Sequence, residues 1–281
     1  VKFLVIGEKM TDRYYVGSVC RLNPEKHAAP LLNCSRVEER PGGAWNVATN
    51  LLAMGAEVEF VSQRVGNIVK NRLWDVESGT IARFDCEDEC RSINPLEIQE
   101  KSHGCCAVIV SDYGKGAIDI DVADAVRSLG LLTFVDAKVR PDRWVNFAEA
   151  VFPNKSEYLK HKDDYSQSQL CIVKRGHLGA DLYVGGVRST HQFQAMNKYP
   201  ANVAGAGDTV LASYAACYMA MGLEAYPLEF KETFPLEIAM DFAGKAVEDP
   251  FTAAPSFIDV YGPLLNVSPD LKKIIERLKM P

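Results

Sequence analysis

Asp208 ends the segment Asn202-Val-Ala-Gly205-Ala206-Gly207-Asp208, just where a long apolar helical pattern begins that runs to Gly222. Glycine at 205 and 207 lets the backbone turn through unusual dihedrals and approach a ligand closely. The free N–H groups of the helix start, Gly205, Ala206 and Gly207, then converge on one point with the positive end of the helix dipole behind them. That is an anion hole, and an aspartate in its first turn can act as a base beside developing negative charge. A plain capped helix after a glycine-rich loop fits the same letters, and the segment alone leaves both readings open. A second group, Glu38-Glu39-Arg40-Pro41-Gly42-Gly43-Ala44-Trp45-Asn46, sets paired glycines before a helix. Asn46, one step into that helix, can hydrogen-bond polyol hydroxyls, although glycine and proline punctuation explains the segment as well. No Gly-x4-Gly-Lys-Ser/Thr run occurs, which excludes a P-loop, and no Gly-x-Gly-x-x-Gly follows a strand, which weakens a dinucleotide-binding reading.

These residues need a scaffold that holds helix starts beside strand ends. Apolar strand patterns at 1–7, 58–62, 106–111, 132–136, 150–153 and 171–175 alternate with helical patterns at 45–54, 121–129, 156–161, 207–221 and 236–247. A last amphipathic helix is expected at 271–279. Such alternation is the mark of an α/β domain with a mainly parallel sheet, so the expectation is a single doubly wound domain over 1–281. The β-like runs at about 14–38 and 68–85 break the alternation, and a small side sheet or lid is expected there. The hairpin at 72–85 turns around Glu77-Ser78-Gly79.

Composition bounds the partners. The 281 residues are 47% hydrophobic and 24% charged, and 31 basic against 37 acidic side chains give a net charge of −6. A mildly acidic chain is a poor general binder of nucleic acid or anionic membrane, and no apolar run approaches the roughly 20 residues of a membrane span. The sequence enters a strand at once with no charged region or cleavage site before it, so a cytoplasmic location is expected. Eight cysteines read as reduced, buried thiols rather than a disulfide framework. Cys86, Cys90, His103, Cys105 and Cys106 form a possible zinc constellation, but their spacing fits no standard zinc site.

Three motifs in order, Gly42-Gly43-x-x-Asn46, Asn154-Lys-Ser-Glu157 after a short strand, and Gly205-Ala206-Gly207-Asp208, resemble the ribokinase-like (PfkB) carbohydrate kinases. Gly7 to Tyr14, Arg21 to Glu25, Glu39 to Ala48, Ser111-Asp-Tyr-Gly-Lys-Gly116 and Val135-Asp-Ala-Lys138 resemble in particular the kinase domain of the heptose-7-phosphate kinase / ADP-heptose synthase family. The resemblance implies a three-layer α/β sandwich with a mainly parallel sheet and a β lid. It implies ATP- and Mg2+-dependent phosphorylation of a sugar or sugar phosphate, heptose 7-phosphate foremost. In that setting Asp208 is the base, and the N–H groups of Gly205, Ala206 and Gly207 stabilise the transferring phosphoryl group.

By the same resemblance, Asp12, Gly42, Gly43 and Asn46 hold sugar hydroxyls. Arg13, Arg40 and Lys115, basic residues within matching motifs, are expected to grip a substrate phosphate. Lys138, Asn154, Lys174, Gly176, Gly179 and Asp241 lie near the nucleotide, while Asn154 and Glu157 place Mg2+, partly through water. A homodimer joined through the lid is also implied. The chain departs from the family pattern at Glu8 and Ala137, in the charges at Asp241, Glu248 and Asp249 near the adenine segment, and in a shortened stretch between Ser62 and Arg72. A kinase for another sugar, or an inactive sugar- or nucleotide-binding relative, is the alternative reading.

Overall fold

The computed structural model describes residues 1–26, 28–197, 200–222, 227–262, 265 and 268–279. In chain order the elements are β1 (Lys2–Gly7), β2 (Lys9–Leu22), β3 (Pro30–Gly43), α1 (Ala44–Ala53), β4 (Glu57–Val61), β5 (Ile68–Asp75), β6 (Gly79–Glu87), α2 (Pro95–Lys101), β7 (Ala107–Asp112) and α3 (Ile120–Ser128). They continue with β8 (Leu132–Ala137), β9 (Ala150–Val151), α4 (Lys155–Lys160), α5 (Lys162–Tyr165), β10 (Leu170–Lys174), β11 (Ala180–Val184), β12 (Val187–Arg188), α6 (Ala206–Met221), α7 (Leu228–Ala246), α8 (Phe257–Tyr261) and α9 (Pro269–Lys279).

The main sheet runs β12-β11-β10-β9-β8-β7-β1-β4. It is parallel from β4 to β10 and antiparallel only at β11 and β12. Its central strands are continuous apolar runs because helices cover both faces. One face packs Val5, Ile109 and Phe134 against Leu211 and Tyr214 of α6, Phe242 of α7 and Leu278 of α9. The other packs Leu4, Ile6, Val108 and Val110 against Ile98 of α2 and Val126 of α3. From β1 the chain reaches β4 on one side and β7 on the other. The crevice beyond the carboxyl ends of β1 and β7 is therefore the switch point where open α/β sheets bind ligands.

The second sheet, β3-β2-β5-β6, is the lid. Its first two strands are 14 residues each and reach beyond the β-like run expected at about 14–38 on both sides. Polar residues on the outward face obscure the apolar alternation of the inward one, where Met10, Asp12, Tyr14 and Val16 are buried. Tyr14 anchors the lid to the body: its ring meets Phe251 edge-on at 4.9 Å and its hydroxyl lies 2.8 Å from Thr252 Oγ1. The shortened 62–67 stretch is a direct link from edge strand β4 into lid strand β5.

Short helices α5 and α8 lie outside the expected set, and α7 and α2 also differ from expectation. α7 begins at Leu228 rather than Leu236 and runs through Pro235. Proline there removes one backbone donor, but Leu236 is fully buried beside it and Phe230 stacks on Phe234 at 4.8 Å, so packing outweighs propensity. Helix α2 has no clear sequence signal because it spans only seven residues; Asn94 caps it, accepting from Leu96 N, with Pro95 in its first turn. Of the cysteines, Cys90, Cys105, Cys171 and Cys217 are buried, whereas Cys20, Cys34, Cys86 and Cys106 are exposed, three of them on lid strands, which corrects the expectation of buried thiols throughout.

Candidate active site

α6 starts where the carboxyl ends of the main sheet open. Gly205 holds the left-handed conformation at its N-cap (φ 81°), and a Cβ there would come within 2.6 Å of Asn46 Nδ2 and 2.8 Å of Thr252 Cγ2. Only glycine fits that approach. The Ala206 N–H makes a long 3.4 Å bond to Val203 O, while those of Gly207 and Asp208 make none among the described residues, as first-turn donors of a helix do. Lys174 Nζ lies over Gly207, 3.3 Å from where a Cβ would stand.

The Asp208 carboxylate is buried and doubly held: Asn46 Nδ2 donates to Oδ2 at 3.1 Å and the Tyr113 hydroxyl to Oδ1 at 2.8 Å. Burial pushes its pKa above the ordinary aspartate value, against the pull of these two donors and of Lys138. Asn46 is itself oriented, because Asn50 Nδ2 donates to its Oδ1 at 3.2 Å. The amide expected to face a sugar hydroxyl is thus engaged with the base. Tyr113, immediately after β7, is a functional residue that sequence reasoning misses within the Ser111-to-Gly116 motif, since nothing in spacing shows that a ring will point across the switch point. The same burial, with Asp208 and Asp136 nearby, raises the Tyr113 phenol far above its usual value, so it remains a donor.

A cleft of 630 Å3 opens beside Asp208. Its polar wall brings together Asp136, Lys138, Asn154, Lys174, Gly176 and Gly179. Asp136 is buried between the two lysines: Lys138 Nζ donates to it at 3.1 Å and Lys174 makes a shorter bond. Desolvation opposes ionisation, yet the paired ammonium groups hold the Asp136 carboxyl below its usual range. Burial also favours neutral Lys174, and its pKa is lowered. Lys138 is partly open to solvent and its pKa is raised, because Asp136, Glu157 and Asp208 outweigh its own desolvation.

The opposite wall is apolar, with Met240, Ala243, Gly244 and Val247 of α7 and its end. Asp241 is not among the lining residues, contrary to its expected place at the nucleotide: its carboxylate accepts from Tyr261 at 2.7 Å. Each residue advances a helix by about 100°, which turns Asp241 away from the cleft that its neighbour Met240 lines. Glu248 pairs with Lys245 at 2.6 Å in the open, so the charges of this segment leave the wall apolar.

Asn154 and Glu157 close a capping box at the start of α4: Glu157 N donates to Asn154 Oδ1 at 2.9 Å and Asn154 N to Glu157 Oε2 at 2.7 Å. Glu157 Oε1 remains, 3.6 Å from Lys138 Nζ. Among the described residues no group of three or more His, Cys, Asp or Glu is placed to hold a metal ion. The donors fit a hydrated Mg2+ contacted through its water shell, with Glu157 Oε1 as acceptor.

The three cations expected to hold a substrate phosphate sit on the lid or its rim. Directly paired strand residues share a face. In that register Asp12 aligns with Arg40 and Lys70, and Arg13 aligns with Glu39 and Asn71. Arg13 therefore lies on the face opposite Asp12, bonded to Glu39 at 2.7 Å. Arg40 faces inward but pairs with Glu38 at 3.4 Å and stacks 5.6 Å over Phe251, and Lys115 pairs with Glu87 at 2.7 Å. Asp12 is buried in an ion pair with Arg72 at 2.6 Å and accepts from Thr252 at 2.9 Å. Gly42 lies against it, a Cβ there falling 3.0 Å from Asp12 Oδ2. Gly43 adopts a positive φ of 59° where β3 passes straight into α1, and a Cβ there would fall 2.6 Å from Glu8 O. Glu8, where the sequence departs from the expected pattern, is fully buried and accepts from Tyr113 N at 2.8 Å and Lys115 N at 3.0 Å. Its side chain ties β1 to the loop carrying Tyr113.

The strand order, lid and glycine-led helix define a ribokinase-like α/β fold. No family model matches the chain. It is similar to the ribokinase of Giardia lamblia (TM-score 0.68, 12% identity, 95% of this chain and 99% of that one). It is also similar to an uncharacterized sugar kinase of Pyrococcus horikoshii solved in complex with ATP (TM-score 0.67, 14% identity, 98% and 100%). Among curated sequences, the bifunctional protein HldE of Pseudomonas savastanoi pv. phaseolicola is 30% identical over 77% of this chain. The chain spans 55% of that relative's length. In motifs and fold the chain is thus similar to the ribokinase-like (PfkB) carbohydrate kinases.

Proposed function

We propose that this chain is an ATP-dependent kinase domain for a sugar or sugar phosphate, acting most nearly as a heptose-7-phosphate 1-kinase. The observation that carries this reading is Asp208. It is buried and held by two donors at the start of α6, and beside it a cleft offers two lysines on one wall and an apolar face on the other. ATP, when bound, supplies the phosphoryl group, and Mg2+ lowers the charge on its phosphates. The apolar side chains of α7 suit a purine face, and Lys138 and Lys174 suit the phosphates. Asp208 accepts the proton of the acceptor hydroxyl as its oxygen attacks, and Asn46 and Tyr113 fix which lone pair is offered. The free N–H groups of the first turn of α6 meet charge on the phosphoryl oxygens, in a site that needs no reorganisation as the charge shifts. Asn154 and Glu157 would receive the hydrated cation.

A homodimer through the lid is part of the proposal, supported by exposed Val37 and Phe84 on strands β3 and β6; a monomeric mass by light scattering at micromolar concentration contradicts it. Among the described residues no helix is long and apolar enough to cross a membrane. The test of function is coupled ADP release with ATP and Mg2+ against heptose 7-phosphate, other sugar phosphates and free sugars. Turnover on one class of sugar supports the kinase reading. ATP binding with no turnover on any member favours the inactive, ligand-binding relative.

A further inference from the structure

Around Asp12 the inner face of the lid carries several cations, and the arginines there are matched. Arg40 is paired with Glu38, Arg72 with Asp12 and Arg83 with Asp85, the last through two bonds of 2.8 and 2.6 Å. The exception is Lys70. It aligns with Asp12 on β2 and with Asp85 on β6, so it points inward from the middle of the sheet. Its Nζ lies 4.3 Å from the centre of the Tyr113 ring, whose hydroxyl is bonded to Asp208. Among the described residues no carboxylate lies within ion-pairing distance of it. Its own burial acts most strongly against its charge; Asp12 and Asp208 act for it, Arg83 and Arg72 against it, and the net effect lowers its pKa. A half-buried ammonium beside two guanidinium groups costs stability unless an anion completes it. Here the guanidinium groups already have their carboxylates, and the ammonium does not.

We infer that Lys70 forms an anion subsite on the lid, taking a phosphate monoester carried by the sugar at the end remote from the hydroxyl facing Asp208. This rests on the kinase reading above and makes that reading narrower. It replaces Arg13, Arg40 and Lys115 as the phosphate grip with a lysine that sits one aromatic ring from the base. It also explains why the site needs a charged lid at all: a free sugar offers hydroxyls, which Asp12 and amide groups can serve, whereas a phosphate ester needs a cation that is not already neutralised. Lys70 is a binding residue in this account and takes no part in proton transfer.

The test is lysine labelling with acetic anhydride, read residue by residue by mass spectrometry, on the whole chain with inorganic phosphate, mannose 6-phosphate, heptose 7-phosphate, the two unphosphorylated sugars, or ATP. Sugar phosphates are expected to protect Lys70 and the free sugars and ATP to leave it reactive. Lys70→Met, which keeps the stem, is expected to raise KM for a phosphorylated sugar roughly 10- to 100-fold, the scale of one charge-assisted hydrogen bond, with kcat and the KM for ATP changed far less. Lys70→Arg restores most of the loss. If Lys70 serves only to seat Tyr113, kcat falls and KM does not, and the subsite is overturned. Equal protection by sugars and sugar phosphates, or no protection by any phosphate, overturns it also. The two readings fail separately: protection without any turnover keeps the subsite and removes the kinase, and turnover on free sugars untouched by Lys70→Met does the reverse.

Discussion

The body and the lid solve their folding problems in opposite ways. In the body, β1, β7 and β8 are buried almost end to end, and the groups that face the cleft are mostly backbone or are fixed by backbone: the glycine-led start of α6, and lysines at strand ends. In the lid, side chains do the joining: the Asp12–Arg72 pair works beside the Tyr14 anchor. Asp12 and Arg72 are both buried, in a sheet whose edge strand β6 is mostly exposed. The body thus presents a preformed site for phosphoryl chemistry, whose parts are set by the main-chain path. The lid presents its charges on side chains rather than on the main-chain path, and it is the part suited to choosing the substrate.

That contrast can be broken most severely at the lid's buried pair. Arg72→Met leaves Asp12 buried without its counter-ion and should cost about 3–5 kcal/mol of stability, read as a shift in the urea midpoint. A change below about 1 kcal/mol, the scale of an exposed pair, would mean that the lid does not depend on this one. Second in size is Tyr113→Phe, which removes a donor from the base and should lower kcat roughly 10- to 100-fold. The pH profile sharpens this. Burial raises the Asp208 pKa, so kcat/KM should fall on an acid limb lying above the ordinary aspartate range. Because the Tyr113 bond pulls that pKa down, its loss should move the limb to higher pH; an unmoved limb would detach Tyr113 from the base.

A smaller effect belongs to the body. Asp112 is buried, one carboxylate oxygen has no partner, and burial with Glu8 nearby pushes its pKa up to about 7. The folded state therefore binds a proton that the unfolded chain has lost. Stability from this group declines as pH rises from the usual aspartate value through about 7. Asp112→Asn keeps the Gly114 bond and should raise Tm more at pH 8 than at pH 5; an equal gain at both would remove the titration. The smallest effect is expected at Arg13→Ala on the outer lid face, with turnover and KM for the sugar unchanged. A clear rise in that KM would return Arg13 to the phosphate grip.

The body is legible in the sequence because its two signals are local: continuous apolar strands, and glycines ahead of a helix with an aspartate in its first turn. Lys138, Lys174, Gly176 and Gly179 are placed near one another by the family resemblance, and the cleft brings them together. The lid is hidden for a physical reason. Its strands alternate charge with apolar residues on a face that is itself polar, so period-two patterning reads as partial exposure. Which face each residue occupies depends on register, which no single strand encodes; Arg13 and Lys70 exchange importance on that point alone. Tyr113 and Asn46 act on Asp208 across the switch point through contacts 95 and 162 residues apart in sequence. Asp241 reads as a nucleotide neighbour from its segment, and only the helix rotation turns it toward Tyr261.

The central claim is that Asp208 is the base of a phosphoryl transfer. It is tested most directly by single-turnover phosphorylation with Asp208→Asn, alongside calorimetric binding of ATP and of the sugar phosphate. Asparagine preserves the shape of the side chain beside Asn46 but cannot accept the proton. The account predicts ATP and sugar affinities within a few-fold of wild type and transfer slowed by roughly a thousandfold or more, on the upper scale of general base catalysis. Transfer near the wild-type rate, with binding intact, would contradict it.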